Sequence, residues 1–279
     1  MYYNLGLIGY PLNHSLSPCI HNYLIYKSKI NGGYNCFELI DSNGMGELLK
    51  FLKTYNFCGL NVTLPYKEEI INHIPELSDE AEKVRSVNTL CIKNGCIKGY
   101  NTDIYGFRQM IRHNNIIFNG KTVTLIGVGG ASRSVLPVIL EEGAKEIYIL
   151  CRDIKKGNIV IDSLNISHLS NIYVKEISLL KKHFECDVII NATSAGINRP
   201  FDIDLKNVNV DYCAIDLQYN LNNFTHFLQS LSNQKVILID GIDMLVYQAL
   251  KSFEIWTERN IGINIKEIKN ILMGIDEIR

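Results

Sequence analysis

The chain has 279 residues, room for two compact domains or one large one at about 100 to 200 residues per domain. Its 28 basic and 29 acidic side chains leave a formal net charge of −1, and 47% of residues are hydrophobic and 20% charged. That balance excludes a disordered chain and gives no basic footprint for nucleic acid or an anionic membrane. No apolar run reaches the roughly 18 to 20 residues of a membrane helix, and the first residues show no secretory signal pattern. The expected partner is therefore a small molecule, with no nucleic acid and no membrane, and the expected location is cytoplasmic.

In the first third, strand-like runs at Leu5–Gly9, Tyr34–Ile40 and Cys58–Val62 alternate with helical stretches at Ser17–Ser28 and Gly46–Tyr55, a βαβαβ rhythm. Ser17-Pro18 reads as an N-cap followed by proline at the first helical position, which puts Asn13 to Ser17 in the connecting loop. Asn61-Val62-Thr63-Leu64-Pro65-Tyr66-Lys67 leaves a strand and is expected to enter a helix, placing Thr63 and Lys67 at the C-terminal edge of the sheet. A helix follows over Asn101 to Asn115, with Asp103 near its start beside Asn101 and Thr102.

The pattern then restarts. A β-branched strand at Thr122–Ile126 meets a glycine turn at Gly127–Gly130, a helix over Ser132–Glu142 closed by Gly143, with Pro137 early in it, and a strand at Ile147–Leu150. Further strands at Val188–Ile190, Ala214–Leu217 and Val236–Ile239 complete a second parallel unit. Met244–Trp256 and Ile265–Met273 read as amphipathic helices, with Trp256 in the core.

The eight cysteines lie mostly in apolar runs such as Cys36-Phe37 and read as buried reduced thiols. Cys91 and Cys96 lack the second pair or histidine that a zinc site needs, so no metal is expected. His14 and His21 have no nucleophile spaced to use them and read as surface or packing residues.

Two constellations carry chemistry. Gly127-Val128-Gly129-Gly130-Ala131-Ser132 lies between a strand and a helix, where glycines permit a tight turn and close approach of a pyrophosphate to the helix N-terminus. After the next strand, Arg152 suits a 2′-phosphate and Asp153 suits a free ribose diol, so NADP and NAD both stay open. The second constellation is Lys67 with Asp103. Such pairs are usually exposed and of little consequence, but in a closed site a carboxylate beside a lysine makes a proton donor of tuned strength.

Across these residues the chain resembles the shikimate dehydrogenases along nearly its whole length. Ser15-Leu16-Ser17-Pro18 is similar to the family's Ser-x-Ser-Pro loop, Asn61–Lys67 to its Asn-Val-Thr-x-Pro-x-Lys segment, Val87-Asn88-Thr89 to its Val-Asn-Thr motif and Asn101-Thr102-Asp103 to its Asn-Thr-Asp motif. Gly127 to Arg133 resembles its Gly-x-Gly-Gly-Ala-x-Arg turn, and Asn191–Ser194, Asp216–Tyr219 and Gly241–Ala249 complete the series. Three departures stand out: Cys151-Arg152-Asp153 where Asn-Arg-Thr or Asn-Arg-Ser is common, Asn220-Leu221 for Asn-Pro, and Asp243 for a glycine.

The resemblance implies an α/β chain with a substrate-binding catalytic domain over 1–103, completed by helices within 242–279, a Rossmann-like NADP-binding domain over 104–241, and a cleft between them. It implies reversible NADPH-dependent reduction of 3-dehydroshikimate to shikimate on the route to aromatic amino acids. An NAD-preferring quinate/shikimate dehydrogenase is the alternative, and a nucleotide sensor without turnover the rival from another class. Ser15, Ser17 and Tyr219 would hold the substrate carboxylate; Thr63, Asn88, Asp103 and Gln248 would address the ring hydroxyls; Lys67 and Asp103 would be catalytic. Gly127, Val128, Gly129, Gly130, Ala131, Arg152, Asp153, Thr193, Leu217 and Gly241 would bind the cofactor. A monomer or a homodimer is expected.

Overall fold

The structure is a computed structural model that describes residues 1–196, 201–262 and 264–276. It divides into two compact units, Met1–Gly106 with Leu245–Arg279, and Phe107–Met244.

The first unit runs β1 (Tyr2–Gly9), α1 (Ser17–Lys27), β2 (Asn31–Glu38), α2 (Met45–Thr54), β3 (Phe57–Val62), β4 (Glu76–Leu77), α3 (Asp79–Val84), β5 (Thr89–Lys93) and β6 (Cys96–Tyr100), and α4 (Asp103–His113) leads out of it. Its sheet has the order β2-β1-β3-β5-β6-β4. β1 pairs in parallel with β2 and β3, as the alternating rhythm predicts, whereas β3–β5 and β5–β6 are antiparallel. The sheet is mixed because Asn94-Gly95, with φ of 52° and 75°, closes a two-residue hairpin between β5 and β6. Across it Cys91 faces Lys98 and Cys96 faces Lys93, so the spacing of the two cysteines follows from hairpin register.

Two layers cover this sheet. Met45, Leu49 and Leu52 of α2 pack with Ile8, Leu60, Val62 and Leu90, each fully buried aliphatic side chain contributing about 1.5–3 kcal/mol relative to exposure. Elsewhere His21 of α1 stacks on Tyr34 at 4.3 Å between centroids and lies 5.1 Å from Trp256, whose indole N–H donates to Leu90 O at 2.8 Å. His21 and Trp256 are thus core residues. Trp256 belongs to α8 (Ile242–Thr257), and the last helix is α9 (Ile265–Asp276).

The second unit runs β7 (Thr122–Ile126), α5 (Gly130–Glu141), β8 (Glu146–Cys151), α6 (Ile154–Ser163), β9 (Ile172–Glu176), β10 (Phe184–Asn191), β11 (Val208–Asp216), α7 (His226–Leu231) and β12 (Ile237–Ile239). The order is β12-β11-β10-β7-β8-β9 and every pair is parallel. The strand order reverses between β7 and β10, which in a doubly wound sheet opens a ligand crevice beyond their C-terminal ends.

Local expectations need correction in four places. The helix α1 starts at Ser17 itself with Leu16 as N-cap, and Ser17 makes no capping hydrogen bond. Lys67 does not enter an α-helix: a turn follows the Leu64-Pro65 cis bond, and the next element is a 3-10 turn over Glu69–His73. Cys36 and Cys96 are exposed, the first on the edge strand β2 and the second at the start of β6 beside the hairpin turn. Pro137 stands in the middle of α5.

Candidate active site

Backbone hydrogen bonds gather three loops at the C-terminal edge of β1 and β3. Thr63 N–H donates to Ile8 O at 2.9 Å and Tyr10 N–H to Leu64 O at 2.9 Å, tying the loop after β3 to the loop after β1. In the latter, Leu12 N–H donates to Glu38 Oε1 at 2.8 Å, Ser15 N–H to Leu12 O at 3.0 Å and Ser17 N–H to Ser15 Oγ at 3.3 Å, which holds the two serine residues next to each other. Val87 N–H donates to Lys67 O at 2.8 Å and brings in the loop that carries Asn88.

The loops that carry Lys67 and Asn88 meet at one charged pair. Lys67 Nζ lies 2.7 Å from Asp103 Oδ2, with side chains 15% and 7% exposed, so this is an ion pair screened from bulk water rather than a surface contact. Asp103 heads α4, which Asn101 Oδ1 caps by accepting from Ile104 N–H at 3.2 Å. The other carboxylate oxygen accepts from Asn88 Nδ2 at 2.8 Å. Asn88 in turn donates to Thr102 Oγ1 at 2.9 Å and Gln248 Oε1 at 3.3 Å, while its Oδ1 accepts from Thr102 N–H at 2.7 Å. An ammonium held on a buried carboxylate can donate a proton to a neighbouring oxygen and recover it.

In the second unit, Gly127 adopts φ +109°, a conformation open to glycine, and its N–H donates to Leu150 O at 2.9 Å. The N-cap of α5 is Gly129, no acidic side chain occupies the first turn, and nothing lies within 4 Å of a Cβ built on Gly129. The positive end of α5 therefore faces open space beside Val128, Gly130 and Ala131, which fits a pyrophosphate. Beyond β8, Arg152 Nη2 pairs with Asp202 Oδ2 at 2.6 Å on the surface. Asp153 is the N-cap of α6, its Oδ1 accepting from the N–H groups of Lys155 and Lys156 at 2.9 and 3.2 Å.

The loop after β10 is held by side chains. Thr193 donates through N–H and Oγ1 to Asn191 Oδ1 at 3.1 and 2.8 Å, and Gln218 Nε2 donates to Thr193 O and Ala195 O, both at 2.7 Å. Asn191 Nδ2 and Gln218 N–H both donate to Asp216 Oδ1, at 2.9 and 3.0 Å. Burial outweighs these donors and pushes the Asp216 carboxyl up to about 6. Gly241 N–H donates to Gln218 O at 2.8 Å, and a Cβ on Gly241 would come within 2.2 Å of Leu217 O.

Lys67, Asp103, Asn88 and Gln248 thus form one hydrogen-bonded cluster in the first unit, with Thr63, Ser15 and Ser17 in the adjoining loops. Tyr219 and all the glycine-turn and ribose residues belong to the second unit. Sequence reasoning passed over Thr102, Asn191, Asp216 and Gln218 as site-shaping residues, although each stands within a quoted motif. Among the described residues, no group of three or more His, Cys, Asp and Glu side chains converges as a metal site would require, and no helix is long and apolar enough to cross a membrane.

Comparison with known proteins points to one family. Three family models match: the shikimate dehydrogenase substrate binding domain over residues 7–90, shikimate / quinate 5-dehydrogenase over residues 110–200, and the shikimate 5'-dehydrogenase C-terminal domain over residues 241–262. The shikimate dehydrogenase (NADP(+)) of Clostridium beijerinckii is 37% identical over 258 residues, covering 91% of each chain. A chorismate mutase/shikimate 5-dehydrogenase fusion protein from Clostridium acetobutylicum superposes with a TM-score of 0.85 at 32% identity over 99% of each chain. Shikimate 5-dehydrogenase from Listeria monocytogenes, solved with shikimate and NAD, gives 0.82 at 27% identity over 97% of this chain and 96% of that one. With a paired lysine and aspartate in one unit, a glycine turn opening a helix in the other, and this identity over nearly full length, the chain belongs to the shikimate dehydrogenase family.

Proposed function

We propose that this chain catalyses the reversible reduction of 3-dehydroshikimate to shikimate with NADPH, a step toward chorismate and the aromatic amino acids. The observation that carries the reading is the screened Lys67–Asp103 pair at 2.7 Å, in a chain of this family. NADPH, when bound, supplies the hydride. Lys67 then stabilises the negative charge that develops on the ketone oxygen and gives it a proton; in the reverse direction it takes that proton from the hydroxyl. Asp103 keeps the ammonium charged and aimed. Ser15 and Ser17 hold the substrate carboxylate, and Thr63, Asn88, Asp103 and Gln248 address the ring hydroxyls. These contacts fix which ring carbon faces the coenzyme, and such positioning lowers the barrier by making the encounter intramolecular.

For the coenzyme, the backbone from Gly127 to Ala131 would cradle the pyrophosphate, and Thr193, Leu217 and Gly241 would add further contacts. Arg152 would take the 2′-phosphate. The relatives named for NADP(+) support NADP over NAD, and Asp153 serves α6 as its cap through Oδ1. Initial rates of shikimate and quinate oxidation with NADP+ and NAD+ at 340 nm test the reading. Turnover of shikimate strongly favouring NADP+ is expected; folded protein that binds the coenzyme yet turns over neither acid would replace it with the sensor reading.

A further inference from the structure

One buried side chain of α8 stands outside both the motifs and the charged pair. Ser252 is 0% exposed, and its hydroxyl lies within hydrogen-bond distance of Asn61 Nδ2 at 3.0 Å, Thr89 Oγ1 at 2.8 Å, Thr102 Oγ1 at 3.0 Å and Gln248 O at 3.0 Å. A helical serine commonly needs the carbonyl four residues back and nothing more. Here the hydroxyl joins three segments of the first unit: β3, the β5–β6 hairpin and the start of α4.

Donor and acceptor chemistry orients this cluster. Asn88 O only accepts, so Asn61 turns Nδ2 toward it at 3.1 Å, and Asn61 Oδ1 accepts from the Tyr34 hydroxyl at 2.7 Å. Asn88 is oriented the same way: its Oδ1 must face Thr102 N–H, and its Nδ2 must face the carboxylate of Asp103. The two Nδ2 protons of Asn88 then go to Asp103 Oδ1 and Thr102 Oγ1, at 2.8 and 2.9 Å. Thr102 must send its own proton elsewhere. Ser252 Oγ at 3.0 Å is nearer than Asn88 Oδ1 at 3.2 Å, Thr89 Oγ1 at 3.3 Å or Gln248 Oε1 at 3.4 Å. Ser252 can accept from Thr102 and Asn61 while its one proton goes to Thr89 Oγ1 at 2.8 Å or Gln248 O at 3.0 Å, with the Thr89 proton passing to Asn88 Oδ1 at 3.1 Å.

We propose that Ser252 is a positioning residue for the Lys67–Asp103 pair, acting through Thr102 and Asn88; this rests on the reading of that pair given above. By taking the Thr102 proton, Ser252 leaves the Thr102 oxygen facing Asn88 as an acceptor, and this keeps the Asn88 amide aimed at Asp103. Without the serine hydroxyl, Thr102 turns its proton toward Asn88 Oδ1 or Gln248 Oε1, and Asn88 Nδ2 loses Thr102 Oγ1, one of the two acceptors that hold it against Asp103.

The test compares Ser252→Ala with Thr257→Ala, one turn further along α8, where a buried hydroxyl donates to Phe253 O at 2.7 Å. Thermal melting of both, with kcat and KM for shikimate and NADP+, separates positioning from packing. Ser252→Ala should lose about tenfold in kcat, the scale of a hydrogen bond to a charged group, with KM for NADP+ unchanged and wild-type kcat in Thr257→Ala. In a Lys67→Ala background the same substitution should leave the residual turnover unaltered, since there is no ammonium left to aim. Ser252→Cys, close in volume and a weak acceptor, gives the same readout should the alanine variant fail to fold. Wild-type kcat in folded Ser252 variants, or equal losses in both alanine variants, overturns the proposal. If Lys67→Ala itself keeps wild-type kcat, the reading of the pair fails, and the two failures are thereby told apart.

Discussion

Asn88 donates through Nδ2 to Oδ1 of Asp103 at 2.8 Å, while Oδ2 of the same carboxylate accepts from Lys67 at 2.7 Å. Each oxygen thus has its own donor. Asp103→Asn keeps the shape but sets an amide N–H against one of these donors and removes the charge that holds the ammonium. The expected result is a fall in kcat of about 10²–10⁴-fold, the range of a lost acid–base contribution, in protein with a wild-type circular dichroism spectrum. Activity within threefold of wild type would show that the carboxylate is not needed.

Arg152 and Asp153 are neighbours with different duties. The Arg152–Asp202 pair is more than half exposed on both sides, so it is worth little and yields readily to a phosphate. Arg152→Ala should raise KM for NADP+ about tenfold or more, the scale of a charge-assisted bond, and leave KM for NAD+ nearly unchanged. Asp153→Ala should instead cost about 1 kcal/mol of stability as a lost helix cap. A large rise in KM for NAD+ in Asp153→Ala, with stability intact, would reverse these assignments.

Two glycines of the second unit separate steric from ligand roles. Gly241→Ala would drive a Cβ to within 2.2 Å of Leu217 O, so a loss of about 1–3 kcal/mol in denaturant unfolding is expected, as for other overpacked sites. Gly129 has φ −92° and open space where its Cβ would stand. Gly129→Ala should therefore melt like wild type yet bind NADP+ at least tenfold more weakly, because the added methyl occupies the place of the pyrophosphate. Fluorescence titration with NADPH reads this directly.

In the second unit α5 and every strand but β9 were legible, because β-branched strands, the Gly127–Gly130 turn and a helix of period 3.6 all signal one doubly wound sheet, whereas α6, β9 and α7 were not read. In the first unit the parallel half, the start of α4 and the two C-terminal helices were legible, and the stretch from Thr63 to Tyr100 was not. Asn94-Gly95 is a hairpin signal in plain view, but the apolar runs beside it are short, and the Val-Asn-Thr motif drew the reading toward chemistry rather than strands. Ser17 looked like a cap by residue type, and only backbone geometry assigns that place to Leu16. Lys67 and Asp103 are 36 residues apart, and their separation of 2.7 Å depends on the register of β3, β5 and β6, a tertiary fact. Ser252 follows Gln248 by four residues, the spacing of one helix face, which was the available signal for it.

Acid and base act on the two units in opposite senses. Burial takes the His21 imidazole, whose ring nitrogens have no hydrogen-bond partner among the described residues, down to about 3 from 6.5. Below pH 6.5 the unfolded chain binds a proton that the folded one refuses, so stability falls as pH drops from 6.5 toward 3, by at most about 1.4 kcal/mol per pH unit. Asp216 is raised from 3.8 to about 6 by burial, so the folded state keeps a proton there that the unfolded chain releases. Its contribution is full below pH 3.8 and is lost as pH rises through 6. In thermal melts between pH 4 and 8, His21→Phe should reduce the acid-side loss and Asp216→Asn the loss on the way up to pH 6. Melting curves whose pH dependence neither substitution alters would contradict both assignments.

The most direct test of the account is Lys67→Ala, with kcat for shikimate oxidation and shikimate affinity measured on the same folded preparation, the first by NADPH absorbance and the second by calorimetry. The account predicts a kcat reduced about 10²–10⁴-fold with the dissociation constant for shikimate changed by no more than a few-fold. A variant that turns over at the wild-type rate would remove Lys67 from the chemistry and with it the central claim.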